Sequence, residues 1–178
     1  MKDKKVKISK DTIELLPFVK YNDDENCFEM KSGKYMDLLE IRTKDLGTAS
    51  DDENELDIYC IVKLLRLFAN DIKIISLNFP TNTKMQQQYV QHKIDNCRNQ
   101  IFKNILENKL EELQFIEKNR TDREFYLMFF SDTVNQHTDD LNIIVNTLNS
   151  RNLCLQLNKE KKLQILYKLN NKNSSIFI

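Results

Sequence analysis

Glycine and proline are scarce in this chain of 178 residues, which contains only Gly33, Gly47, Pro17 and Pro80. The two glycines are too far apart to form a G-x-G-x-x-G turn or the G-x-x-x-x-G-K-[ST] loop that binds nucleotide phosphates. Gly33-Lys34 resembles the end of such a loop, but Tyr35 follows where a magnesium-binding hydroxyl would be required. The sequence therefore excludes nucleotide hydrolysis by that route.

The composition fits one domain of ordinary size. Hydrophobic residues make up 40% of the chain and charged residues 30%, which is enough apolar material for a core and enough charge for a hydrated surface. The 27 Lys and Arg residues balance the 27 Asp and Glu residues, so the chain lacks the positive field that attracts nucleic acid. We predict a flexible basic arm at residues 1–10 and a single domain at residues 11–178, with nucleic acid disfavoured as a partner.

The four cysteines are dispersed at positions 27, 60, 97 and 154, without a C-x-x-C pair or a neighbouring histidine. This spacing predicts reduced thiols rather than a metal site, and we expect no cofactor. Cys60 and Cys97 fall on predicted helix faces among apolar residues and are interpreted as core residues. No apolar stretch approaches the roughly 20 residues that cross a bilayer, and no signal peptide is visible. We expect a cytoplasmic protein without a membrane span, either free or peripheral at the inner face of the cell membrane.

The first part of the chain predicts β-strands. Thr12–Lys20 is a candidate strand interrupted by Pro17, which suits an edge position because proline cannot donate a ladder hydrogen bond. Cys27–Met30 and Tyr35–Ile41 flank a tight turn in which Gly33 supplies a positive φ. These two segments predict a β-hairpin.

The next part of the chain predicts a helix and a strand. Leu56–Phe68 carries apolar residues at helical spacing and predicts a helix buried on more than half of its circumference, with Ser50 or Asp51 as its cap. The β-branched segment 72–79 predicts a strand in a sheet interior. The short connection between them indicates that the helix packs on the sheet.

The segment Thr81–Lys118 lacks glycine and proline and predicts either one long helix or two helices with a bend. A continuous helix would be roughly 50 Å long, so part of it would project or fold back. Arg123–Ser131 is apolar on both alternating faces, which predicts a central strand covered on both sides. The remaining predicted elements are a helix from Asp132 or Thr133 to Asn149, a strand at Leu153–Leu157 and a helix at Lys159–Leu169.

The order of these elements predicts an α+β fold. Strands come first and are followed by helices and strands in alternation, which is typical of a two-layer sandwich with helices packed on a mixed β-sheet. Within this class, our hypothesis is a ferredoxin-like topology with one long helix.

No group of residues predicts catalysis. His92 and His137 are the only histidines, and Ser131-Asp132-Thr133 lies near His137 in the sequence, as in some hydrolytic sites. The same three residues mark the passage from a strand to a helix, where such side chains normally cap the helix. We therefore predict that the protein is not an enzyme, and we identify no catalytic, cofactor-binding or metal-ligating residue.

A sheet-based binder of single-stranded nucleic acid is the alternative function. Its base-stacking residues would be the four aromatics Phe125, Tyr126, Phe129 and Phe130. Such a platform needs an exposed face rich in Arg and Lys, whereas this segment is apolar on both faces and favours core packing. Arg120 and Arg123 flank the strand and keep the alternative open.

Four segments, taken together in order, resemble a known family: KSGKYMDLLEI, DIYCIVKLLRLFANDIKIISLNFP, REFYLMFFSD and LQILYKLNNKNSS. They are similar to the N-terminal, non-motor region of the conjugative-transfer ATPases of type IV secretion systems, of the VirB/TraE/TrbE type. In that family the N-terminal region docks on the membrane-embedded translocation machinery, and a separate C-terminal motor hydrolyses ATP.

The glycines of the motor are missing here, so the resemblance implies docking without hydrolysis. It implies either a stand-alone small conjugation protein of mobile elements, of the TrsD/TraD kind, or a truncated part of a longer ATPase. The expected function is that of a non-enzymatic component that docks at the cytoplasmic side of a DNA-transfer channel. The partners implied are conjugation-channel proteins and a separate motor ATPase.

Overall fold

The structure is a computed structural model that describes residues 17–44, 47 and 49–171. The predicted basic arm at residues 1–10 lies outside the described residues, as does the first part of the predicted strand Thr12–Lys20. The described elements are β1 (Phe18–Asn22), β2 (Cys27–Met30), β3 (Tyr35–Ile41), α1 (Asp51–Leu67), β4 (Ile72–Pro80), α2 (Lys84–Asp95), α3 (Gln100–Asn119), β5 (Thr121–Ser131), α4 (Val134–Asn149), β6 (Cys154–Gln156) and α5 (Lys159–Asn170).

In the described residues the strands form one open sheet in the order β1-β2-β3-β5-β4, with β6 also paired to β3. β3 pairs with β5 along the whole length of β3, from Tyr35 to Ile41. β2 and β6 share the other edge of β3, where β2 pairs near Met36 and β6 pairs from Leu39 to Ile41. These pairs are antiparallel, so the sheet is antiparallel rather than mixed, and the α+β sandwich is confirmed.

Four of the strands have ferredoxin-like topology. They form two βαβ units, β3-α1-β4 and β5-α4-β6, and their order in the sheet is β6-β3-β5-β4. Each unit therefore has its two strands separated by a strand of the other unit, which is the split βαβ arrangement. The hypothesis of a ferredoxin-like topology is confirmed, with β1 and β2 as an N-terminal addition.

Two compact units divide the described chain. The first comprises the residues up to Ile75 and Phe125–Leu163, and the second comprises Ser76–Glu124 and the residues from Gln164 onward. The core of the first unit places side chains of α1 and α4 on β3 and β5, which confirms that α1 packs on the sheet. Its buried members are Leu39, Cys60, Leu64, Phe68, Leu127, Phe129, Ile144, Leu148, Leu153 and Cys154.

The prediction of a central strand covered on both faces is confirmed for β5. Phe129 and Tyr126 point to opposite faces of the sheet because their positions differ by an odd number, and both are 0% exposed. The hairpin prediction is also confirmed, since Gly33 turns between β2 and β3 with φ of 81°. The Gly33 N–H donates to the Met30 carbonyl at 3.0 Å, which closes the turn.

Of the two alternatives predicted for Thr81–Lys118, the single long helix is wrong, and the segment forms two helices that fold back on each other. α2 and α3 pack through a small core of Val90, Ile94 and Leu113. The chain breaks between them where the Asn96 amide donates to a carbonyl of α2, and the Asn99 side chain accepts from the first turn of α3. Asparagine side chains compete with backbone hydrogen bonds in this way, so a helix can end without glycine or proline. We call this pair of helices the α2–α3 hairpin.

The two edge strands of the sheet are β1 and β4, and the sequence predicts the edge position of β1 only. β1 lies at one edge and begins at Phe18, directly after Pro17, in agreement with the edge position that the proline predicts. β4 lies at the other edge, so its predicted interior position is wrong, and Ile74 is 66% exposed. β-branched residues fit any pleated, partly buried surface, and therefore do not separate an interior strand from an edge strand.

α1 begins with a capping box, which confirms Ser50 as its cap. The Ser50 hydroxyl accepts from the Glu53 N–H at 3.3 Å, and the Glu53 carboxylate accepts from the Ser50 N–H at 3.3 Å. This reciprocal pair satisfies two backbone donors that a helix N-terminus otherwise leaves free. The start of α1 is therefore fixed locally, by two side chains that can be recognised in the sequence.

Candidate functional site

The α2–α3 hairpin exposes several large apolar side chains. We call this set the hairpin surface; its members are Met85, Tyr89, Ile101, Phe102, Ile105 and Phe115. Met85 and Tyr89 lie one turn apart on α2 and line a groove of about 540 Å³ together with Lys109 and Leu113 of the opposing helix. Exposed apolar surface of this kind commonly marks a site of interaction with another protein.

Hydrogen bonds between α2 and α3 hold the two helices of the hairpin together. The buried Thr83 hydroxyl donates to the Leu113 carbonyl at 3.1 Å, which joins the start of α2 to the later part of α3. Gln87 bonds to Thr83 at 2.8 Å and also donates to Glu117 across the two helices. These bonds and the small core fix the helices against each other, so the exposed side chains are held in place before a partner binds.

A second apolar surface lies on α1, and it corrects the sequence analysis. The prediction that α1 is buried on more than half of its circumference is wrong, because Cys60 and Leu64 are its only described residues that are buried. Ile58, Ile61, Val62 and Leu65 are exposed instead. We call these four residues the outer α1 face. The reason for the error is that a hydrophobic stripe shows where a helix is apolar, but not how much of it the same chain covers.

A buried charge cluster lies between β3, α4 and α5 in the first unit. Asp37 of β3, His137 of α4 and Lys162 of α5 are each 2% exposed or less. The Lys162 ammonium is 2.5 Å from one oxygen of the Asp37 carboxylate, and His137 Nε2 is 3.2 Å from the other. Lys162 also donates to the carbonyl of Asn26, and the Leu38 N–H donates to Asp37 at 2.6 Å. The carboxylate is thus surrounded by donors, as a buried charge requires.

The geometry of the cluster assigns the histidine tautomer. An ionised carboxylate only accepts hydrogen bonds, so His137 Nε2 carries the proton that bonds to Asp37. The imidazole is held flat against Phe129, with ring centroids 5.6 Å apart and an interplanar angle of 7°. His137 Nδ1 is buried and has no hydrogen-bond partner among the described residues. The three side chains border a cavity of about 210 Å³ that Leu39 and Gln156 also line.

The arrangement is centred on a buried ion pair between Asp37 and Lys162. Asp37 and Lys162 neutralise each other, and among the described residues none of the hydrogen bonds of the cluster reaches a Ser, Thr or Cys side chain that could act as a nucleophile. In the part of the chain that the structure describes, no group of three or more His, Cys, Asp or Glu side chains could hold a metal ion. Within the first unit, the ion pair and hydrogen bonds of the cluster join β3, α4 and the first turn of α5.

The residues of the hydrolytic hypothesis are found in other roles. The Ser131 hydroxyl donates to Asp140 at 2.6 Å, and Asp132 pairs with Lys34 at 2.8 Å. The Thr133 hydroxyl accepts from the Gln136 N–H at 3.2 Å and caps α4, which confirms the capping interpretation for this residue. His137 lies one turn later and bonds to Asp37 instead. His92 lies on an exposed part of α2.

The four cysteines are free thiols, in agreement with the sequence analysis. Cys60 is buried in the core of the first unit, which confirms its interpretation as a core residue. Cys97 is only partly buried and lies in the turn between α2 and α3, so its assignment to a helix face is wrong. The aromatic residues proposed to stack bases include Tyr126 and Phe129, and both are fully buried.

Cys27 beside the charge cluster gives a prediction for alkaline pH. Burial, followed by the negative charge of Asp37, raises the pKa of the Cys27 thiol from 9.0 to about 11. The thiol of the unfolded chain therefore releases its proton at a lower pH than the thiol of the folded protein. The contribution of this thiol to the free energy of unfolding is fully present below pH 9 and is lost as the pH rises toward 11. We expect up to about 3 kcal/mol of the free energy of unfolding to be lost over that interval.

Urea unfolding at a series of pH values would measure this effect in the wild type and in Cys27→Ala. The variant should be less stable at neutral pH, because it leaves a small cavity, and its stability should fall less steeply above pH 9. Parallel curves for the two proteins would contradict the assignment to Cys27. The phenol of Tyr21, whose pKa burial and the charge of Asp37 raise to about 12, titrates in both proteins.

Among the described residues, no helix has both the length and the apolar content required to span a lipid bilayer. A search of curated proteins finds no match to this chain. The family model described as the archaeal TraC-like domain matches residues 20–150, which extend from β1 to the end of α4. This match includes Asp37 and His137 of the charge cluster, the outer α1 face and the hairpin surface. It supports the conjugation-related part of the resemblance, and the chain belongs to the archaeal TraC-like domain family.

Proposed function

We propose that the protein is a non-enzymatic component of a conjugative DNA-transfer system and docks by protein–protein contact at the cytoplasmic side of a type IV secretion channel. The observation that carries the proposal is the TraC-like match over residues 20–150. The absence of any phosphate-binding loop from the sequence supports a role without nucleotide hydrolysis. Channel proteins and a separate motor ATPase are the partners that we expect.

The hairpin surface is the docking face that we assign to this function. Phe102 of this surface is 63% exposed, and full burial of such a side chain contributes roughly 1.5–3 kcal/mol. Ile101 and Ile105 lie one turn apart on the same helix, so a single groove on a partner could cover them together with Phe102. Aromatic and aliphatic anchors on a rigid helix pair are typical of the energetic centre of an interface.

Affinity capture from conjugating cells tests the proposal with a tagged protein and a matched pair of variants. Phe102→Glu places a charge on the hairpin surface and should lower the recovery of channel or motor proteins by about tenfold or more. Gln114→Glu introduces the same charge at an exposed position of the same helix, away from Ile101, Phe102 and Ile105, and should leave recovery unchanged. Thermal melting should show that both variants remain folded, since neither changes a buried residue.

One result would contradict the docking function, and another would contradict its assignment to the hairpin surface. One is capture from conjugating cells that recovers no protein of the transfer system with the wild type. The other is equal recovery with Phe102→Glu and Gln114→Glu, which would leave the docking function standing but show that the hairpin surface does not carry it.

A further inference from the structure

The outer α1 face is a continuous apolar stripe that the first unit leaves exposed. Ile58 and Leu65 are each 61% exposed, Ile61 is 46% exposed and Val62 is 38% exposed. Residues spaced by three and four positions share one side of a helix, so the four side chains form a single row. Cys60 and Leu64 occupy the side that packs on the sheet. α1 is thus apolar on two sides, of which the first unit covers only one.

The spacing of the stripe is symmetrical. Its intervals are three, one and three residues, so the row reads the same in both directions along the helix. A twofold axis between Ile61 and Val62 therefore superimposes the row of one copy on the row of another, with Ile58 opposite Leu65 of the second copy. Self-complementarity of this kind is the requirement for an interface between two identical chains.

The charges along α1 are also self-complementary. The N-terminal half carries Asp51, Asp52, Glu53, Glu55 and Asp57, the last of which pairs with Lys44 and Arg151, and the C-terminal half carries Lys63 and Arg66. Two antiparallel copies place the acidic half of each helix beside the basic half of the other, and the twofold axis makes each favourable pairing occur twice. Arg66 of the second copy then lies about 3 Å along the helix axis from Glu55, within reach of both side chains. A parallel arrangement would bring like charges together.

We propose that the protein forms a weak, symmetric dimer in which the outer α1 faces of two copies pack antiparallel. The acidic first half of α1 disfavours the other common occupant of an amphipathic helix, an anionic membrane surface. A helix of 17 residues is about 25 Å long, which offers less than the roughly 800 Å² per partner of a standard interface. Association should therefore depend on concentration, with a dissociation constant in the micromolar range.

Sedimentation analysis of the full chain from about 1 µM to about 200 µM tests the dimer. The wild type should shift from monomer to dimer over this range. Ile61→Glu, at an exposed position next to the twofold axis, should weaken association by about tenfold or more. Phe102→Glu on the hairpin surface is the matched control and should dimerise like the wild type. Because the same variant should lose the docking partners, the dimer and the docking function are tested separately.

A charge exchange tests the antiparallel arrangement itself. Glu55→Arg and Arg66→Glu should each weaken association by roughly threefold to tenfold, because each places like charges together twice. The double variant restores opposite charges across the axis and should dimerise nearly as well as the wild type. Recovery in the double variant supports the antiparallel dimer.

Three outcomes overturn the inference. They are a wild type that remains monomeric over the whole range, a dimer that Ile61→Glu leaves intact, and a double variant that is weaker than both single variants. Binding of the wild type to vesicles of anionic phospholipid that is lost in Ile61→Glu would also overturn it, since it would assign the outer α1 face to a membrane.

Discussion

Lys162→Met is expected to lower the free energy of unfolding by about 3–5 kcal/mol, because it leaves the Asp37 carboxylate buried without its cation. Both side chains are almost completely buried, and their charged atoms are 2.5 Å apart. Methionine retains most of the apolar length of lysine, so the loss reports the charge rather than a cavity. Urea or thermal unfolding at neutral pH would measure it, and an effect of this size is a large part of a typical domain's total stability.

The double variant Asp37→Asn with Lys162→Met is the control for this prediction. It removes both charges, while the side-chain amide introduced in place of the carboxylate can still accept from the Leu38 N–H. We expect the double variant to be more stable than Lys162→Met alone, since removing a buried ion pair as a whole costs much less than removing one partner. A double variant whose loss equals the sum of the two single losses would show that the charges are not coupled.

The parts of the fold that the sequence predicted are those fixed by neighbouring residues. Gly33 supplies the backbone conformation that the β2–β3 turn requires, and the Ser50 capping box closes the start of α1. β5 was predicted as a central strand because both of its faces are apolar, which only a strand covered on two sides tolerates. In each case the signal and its structural effect lie within one short segment.

The parts that the sequence did not decide depend either on a local competition between hydrogen bonds or on distant segments. The break between α2 and α3 depends on Asn96 and Asn99, whose capping bonds compete with a helix that has no other interruption. The edge position of β4 depends on the order of the strands in the sheet, and the composition of β4 does not predict that order. The exposure of the outer α1 face has the same origin, because its periodicity does not show what covers it.

The charge cluster was the hardest feature to predict. Asp37 interrupts the apolar strand Tyr35–Ile41, and a charged residue at a core-facing strand position is a signal that could have been used. Lys162 gives no comparable signal, because it stands in a run of charged residues at the start of α5. The ion pair between Asp37 and Lys162 joins β3 to α5, which are far apart in the sequence, and no local sequence pattern predicts that contact. His137 was considered for catalysis, but its partner Asp37 was not identified.

Phe129→Ala is expected to cost about 3–5 kcal/mol, as large aromatic truncations in a core do. Phe129 is 0% exposed and lies on the central strand β5. Its ring meets Phe68 edge to face, with centroids 6.1 Å apart, and stacks on His137 at 5.6 Å. The truncation therefore removes contacts with α1 and α4 at once, and it frees the imidazole that bonds to Asp37. Urea unfolding followed by circular dichroism would measure the loss.

Two matched variants separate burial from ring chemistry in this prediction. Phe129→Leu keeps most of the volume and should cost less than Phe129→Ala, while still losing the stacked imidazole. Phe115→Ala removes the same side chain from an exposed position on α3 and should change stability by less than about 0.5 kcal/mol. Equal losses at Phe115 and Phe129 would contradict the assignment of the core to β5. A loss in Phe129→Leu as large as that in Phe129→Ala would instead show that the ring stacked on His137, more than its volume, stabilises the first unit.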